Sequence, residues 1–197
     1  TMRKLKIAAI TAVASLLLFS ALTYAEEPVN VWETDLAAAK AKAEKDGKDL
    51  LVFFLSKDDF ESDTLDKVLL SKPGFQTELS KKYILFRFDI PKDKNAIPEA
   101  QQKIVIDEAF KIGLYGLPTM TVMDAKGRVY FICRKLSLET QDQVAEFIEI
   151  AKAFEVSKGM RDAQFAKAAT LQGKAKVMEY NNAFFFLQKL GNIFDGY

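Results

Sequence analysis

The chain has 197 residues, 49% of them hydrophobic, and its 28 basic and 27 acidic side chains leave a formal charge of +1. That length supports one compact core with a smaller appendage, and the balanced charge excludes a general field for nucleic acid or anionic membrane. With no histidine, His-based acid/base catalysis, Ser-His and Cys-His pairs and the commonest metal ligand are excluded, and no metal or cofactor is expected.

The N-terminus has the pattern of an export signal: basic Arg3, Lys4 and Lys6, an apolar run from Ile7 to Leu22, and small Ala25 before Glu26 and Glu27. Cleavage after Ala25 is expected, giving a signal peptide over 1–25 and a periplasmic or extracellular mature chain without membrane contact. The alternative is an uncleaved anchor, because the apolar run approaches the roughly 17–25 residues that span a bilayer. Exported proteins normally use disulfides in pairs, yet Cys133 is the single cysteine, so folding must rest on the core.

In the mature chain, Thr34 as cap, the Ala-rich stretch from Asp35 and a stop at Gly47 predict a first helix. The continuous apolar run Leu50–Leu55 reads as a strand buried on both faces. A helix over 59–70 follows, with Asp58 as cap, Glu61 reaching back to it, and Leu65, Val68 and Leu69 at helical spacing. "SKPGF" and a short helix to about Lys81 lead to a second strand over 83–90, and strand, helix, strand implies a parallel crossover. A polar loop with two prolines then gives way to a helix whose apolar residues are Ile104, Ile106, Ala109 and Phe110, stopped at Gly113. "TMTVM" and "RVYFICR" around "DAKG" form an antiparallel hairpin, with Val129, Phe131 and Cys133 on one face and Tyr130, Ile132 and Arg134 on the other. Free cysteine is among the most buried residue types, so Cys133 is expected to be a structural core thiol, with a reactive or intermolecularly paired thiol as the alternative. Thr140 and Gln143 predict a capping box before the stripe Val144, Phe147, Ile148, Ala151 and Phe154, which closes the main domain. From Ser157 the composition changes, and two short helices broken near Gly173 are expected.

This order of elements, with "YGLPT" at 115–119 before the hairpin, resembles the thioredoxin fold. The resemblance implies an α/β, three-layer architecture with a central mixed sheet over 26–156, plus a helical C-terminal extension over 157–197. It also implies a cis peptide at Leu117–Pro118. The stretch from Leu50 to Phe75 is similar to exported thioredoxin-like proteins with a Trp-Cys-x-x-Cys motif, and the alignment sets Asp59 and Ser62 at the two cysteine positions. Thiol–disulfide exchange needs an attacking thiolate and a resolving thiol, so dithiol oxidoreductase activity is not expected and no catalytic residue is assigned.

The acidic turn Asp58, Asp59, Glu61 and Asp63 reads as a well-capped helix start, with a divalent-cation or basic-peptide site as the sharper alternative. A standard calcium loop is excluded, because Thr64 stands where glycine is required and Leu70 where glutamate is. What remains is a binding surface for a protein or extended peptide beside the proline loop, formed by Asp59, Phe60, Ser62, Tyr115, Leu117, Pro118 and Thr119, with Met120 as a further apolar contact. The second reading is an adaptor of an envelope assembly, docking through the tail residues Phe184, Phe185, Phe186, Leu190 and Phe194. A glutathione-binding transferase would need a larger helical domain than the tail supplies.

Overall fold

The computed structural model describes residues 31–57, 59–93, 96–134, 136 and 138–193, with side chains of 184–193 outside that description. The expected leader, Asp58 and Phe194 lie outside the described residues, as do the side chains of Phe184, Phe185, Phe186 and Leu190.

The elements run β1 (Trp32–Glu33), α1 (Leu36–Asp46), β2 (Asp49–Ser56), α2 (Phe60–Leu65), α3 (Pro73–Ser80), β3 (Tyr83–Ile90), α4 (Glu99–Ile112), β4 (Thr119–Met123), β5 (Val129–Cys133), α5 (Gln143–Ala169) and α6 (Gly173–Ile193). Strand order is β1-β3-β2-β4-β5, with β1, β3 and β2 mutually parallel and β4 and β5 antiparallel to their neighbours. β2 occupies the centre because its side chains are apolar on both faces. Leu51, Phe53 and Leu55 join one core with α2, α3 and α5, while Leu50, Val52 and Phe54 join a second core with α1 and α4. The first core is rich in rings: Phe75 lies 5.1 Å from Phe147 and 6.2 Å from both Phe53 and Trp32. β1, which sequence periodicity does not disclose, places Trp32 there by pairing with Leu85.

Several expectations require correction. The first helix is capped by Asp35, whose carboxylate accepts the Ala38 amide at 2.8 Å, while Thr34 lies before the cap. α4 turns Val105, Glu108 and Ile112 inward, leaving Ile106 and Phe110 63% and 87% exposed. Glu108 settles that face. Burial raises its carboxyl pKa, but Lys111 at 2.8 Å and Lys40 of α1 at 3.2 Å outweigh it and hold the group ionised. In the hairpin, Val122 pairs with Phe131 and Met123 with Val129, so Tyr130 bulges out of register and joins Phe131 and Cys133 in the first core. The buried Cys133 packs among apolar side chains of that core. α5 is capped by Asp142, which accepts the Ala145 amide at 3.0 Å; Thr140 instead donates its hydroxyl to Glu146.

The helix expected to end near Phe154 continues through Ser157 to Ala169, held by two contacts from its second half. Lys158 donates to both oxygens of Asp49, at 3.0 and 2.7 Å, and Tyr130 donates to the same carboxylate at 2.8 Å. Arg161, fully buried, donates to Asp124 at 3.1 Å and to the Arg128 carbonyl at 2.6 Å. Asp124 also accepts the Lys126 and Arg128 amides, which close the hairpin turn. α6 then packs along α5 and against β5.

Removing Arg161 leaves Asp124 with Arg128 as its remaining cation and deprives the Arg128 carbonyl of one donor. Arg161→Ala is expected to cost about 1–3 kcal/mol in urea denaturation. For Asp124, burial raises the pKa, but the Arg128 amide and the charges of Arg161 and Arg128 bring the net value below its ordinary 3.8. Its contribution is therefore complete above that pH and lost as pH falls through the folded value. Acid unfolding below about pH 4 should be shallower in Asp124→Asn than in the wild type, once both are referred to their neutral-pH stabilities.

Candidate functional site

The C-terminal end of β2, the start of α2 and the loop entering β4 converge because β2 pairs with β4 through Phe54 and Thr119. Asp59 caps α2 by accepting the Ser62 amide at 3.0 Å. That backbone hydrogen bond, foremost among several contacts, holds the Asp59 carboxyl below its ordinary range, so it is ionised at neutral pH. Ser62 is buried, and its Oγ accepts the Ser56 amide at 3.0 Å, fastening the first turn of α2 to the end of β2. Beyond Leu65 the helix widens into a π turn over Asp66–Leu70, where Asp66 accepts both the Ser71 hydroxyl and the Arg87 guanidinium.

On the opposite wall, the Leu117–Pro118 peptide is cis. Thr119 is buried, and its hydroxyl donates to the Gly116 carbonyl at 2.8 Å, which closes the loop on itself. Leu117 is half-buried against the second core, whereas Tyr115 is 86% exposed with the Arg134 guanidinium 5.8 Å from its ring centre.

Between these walls lies a groove of about 280 Å³. Leu65, Val68, Pro118, Leu136 and Leu138 line it with apolar surface, and Phe60, Glu61, Thr64 and Gln143 complete the lining. Phe60 is 82% exposed, so its ring stands out as one side of the cleft. Of the expected surface, Phe60 and Pro118 are brought together on the groove. Asp59, Ser62 and Thr119 are occupied with backbone hydrogen bonds, and Met120 is buried between Phe53 and Cys133. Glu61, Thr64, Leu136, Leu138 and Gln143 are additional groove residues. The two leucines follow β5 in a loop without periodicity, so only their apolar character could have singled them out.

The acidic turn does not act as one cluster. Asp59 is the cap, Asp63 faces a separate polar cavity shared with Asp66, Arg87 and Asp89, and Glu61 lines the groove. No group of three or more His, Cys, Asp or Glu suited to a metal ion occurs among the described residues.

A family model described as Thioredoxin-like matches residues 31–125. Thirteen solved chains match significantly. One is a DsbH oxidoreductase, 20% identical with a TM-score of 0.55, the alignment covering 63% of this chain and 83% of that one. Another is a thioredoxin from Thermus thermophilus, 22% identical with a TM-score of 0.35, covering 46% of this chain and 62% of that one. At such identity the DsbH likeness speaks to fold alone, and nothing is rested on the looser match. No curated protein matches significantly.

Ser62→Ala leaves the partly buried Ser56 amide without its acceptor and is expected to cost about 1 kcal/mol in chemical denaturation. Asp59→Ala should also lower the unfolding midpoint by removing the cap. Asp63→Ala, which removes neither contact, should leave the midpoint close to wild type.

Proposed function

We propose that this chain, which has a thioredoxin-like fold, is an exported, redox-inactive protein that binds extended peptides or partner proteins in the groove beside Pro118. The observation that carries the reading is the apolar groove itself, walled by exposed Phe60 on one side and the Pro118 loop on the other. An unfolded or extended segment can lay an apolar side chain in such a cleft while its backbone stays hydrated or pairs with the loop. At about 280 Å³ the groove sits just below the roughly 300–1,000 Å³ of drug-sized ligand pockets, which suits one or two side chains.

Redox inactivity follows from the chemistry of the two aligned positions. A carboxylate cannot attack a disulfide to form a mixed disulfide, and a serine hydroxyl cannot resolve one. Cys133 does not substitute for them: it is a buried thiol in the sheet, paired across the ladder with Met120. Export rests on the basic and apolar pattern of residues 3–25. The adaptor reading through the tail is weakened by α6, whose backbone packs on its own α5 and β5.

The purified protein should raise the fluorescence anisotropy of a labelled, unfolded, cysteine-free polypeptide. Binding should fall at least tenfold in Leu138→Arg, whose side chain lines the groove, and measurably in Phe60→Ala, whose exposed site spares the fold. A chain ending at Leu171, which lacks α6 but keeps α5 whole, should still bind if it folds. Turnover of insulin disulfides that depends on Cys133 would defeat the nonredox reading, and retained binding in both groove variants would move the site elsewhere.

A further inference from the structure

Among the described residues the groove is apolar apart from three polar side chains, and each has unspent bonding capacity. Neither the Glu61 carboxylate, the Thr64 hydroxyl nor the Gln143 amide has a hydrogen bond or ion pair among the described residues. Among the described residues Glu61 is the one charged side chain in the lining. In holding no cation among those residues it differs from Asp66, Glu108, Asp124 and Glu155, which each hold a lysine or arginine. Its two neighbours in the acidic turn are otherwise directed, Asp59 to the Ser62 amide and Asp63 to the Arg87 cavity.

An unneutralised anion at the edge of an apolar cleft favours a partner that brings an apolar group and a cation together. The size of the groove restricts the apolar part to one or two side chains. Thr64 and Gln143 offer a hydroxyl and an amide to a passing backbone. On the premise that this groove is where the chain takes extended segments, we infer that it selects segments in which an apolar side chain lies next to lysine or arginine, with Glu61 reading the charge. The whole-chain charge of +1 gives no general attraction for cations, so any such preference must be local.

Two labelled peptides test this, sharing an extended Val-Phe-Val centre, one flanked by lysine and the other by glutamate. The full-length protein should bind the lysine peptide roughly fivefold more tightly, the upper range of a solvent-exposed ion pair. The preference should fall to near unity in Glu61→Gln, reverse in Glu61→Lys and shrink as salt is added. Asp59→Asn should retain it. Equal affinities that both fall in Phe60→Ala would leave the groove standing and overturn the charge selection, as would a preference that survives Glu61→Gln. If neither peptide binds, or if binding ignores Phe60→Ala, the groove reading fails and the inference with it.

Discussion

Burial of β2 on both faces is the constraint from which the rest of the molecule follows. Leu50, Leu51, Val52, Phe53 and Phe54 have no exposed surface, so the strand must have a partner on each side and a helical layer on each face. That requirement sets β3 and β4 beside it, distributes α1 and α4 to one face and α2, α3 and α5 to the other, and points the C-terminal end of β2 at the loop that enters β4. The groove is the place where two such ends meet. Its position is a consequence of the sheet, and its character is decided by the few side chains that happen to stand there.

At that place the helix start is fastened by its own side chains. The first aligned position, Asp59, satisfies a helix amide, and the second, Ser62, satisfies the amide at the end of the neighbouring strand. Both residues stabilise the junction through groups that are orphaned in any strand-to-helix turn. The same economy runs through the opposite pole, where Asp124 serves the hairpin turn, Arg128 and the buried Arg161 at once, and so joins the last third of the chain to the sheet.

Much of this was legible in the sequence, for identifiable reasons. Continuous apolar runs announced β2 and β3, the "DAKG" turn announced the hairpin, and Gly47 and Gly113 both take the left-handed conformation that ends a helix. What escaped was decided by contacts distant in sequence. The inward face of α4 depends on Lys40, from a helix far earlier in the chain, which allows Glu108 to be buried in place of Phe110. The bulge at Tyr130 depends on the Asp49 carboxylate that receives its hydroxyl, and the length of α5 on partners at positions 49 and 124. Leu136 and Leu138 entered the groove from an irregular loop, where no period marks a face. Caps were misplaced by a residue or two because Thr34, Asp35, Thr140 and Asp142 are all chemically fit for the role, and only the backbone path chooses among them.

We propose that the groove beside Pro118 is the working surface of the molecule, and photo-cross-linking in the producing cells tests this most directly. A benzophenone side chain placed at position 60, on the groove, is compared with one at position 177, on the exposed outer surface of α6. Adducts from position 60 that disappear with Leu138→Arg, with none from position 177, are the predicted result. Adducts from position 177 alone would contradict it and make the C-terminal helix the contact surface.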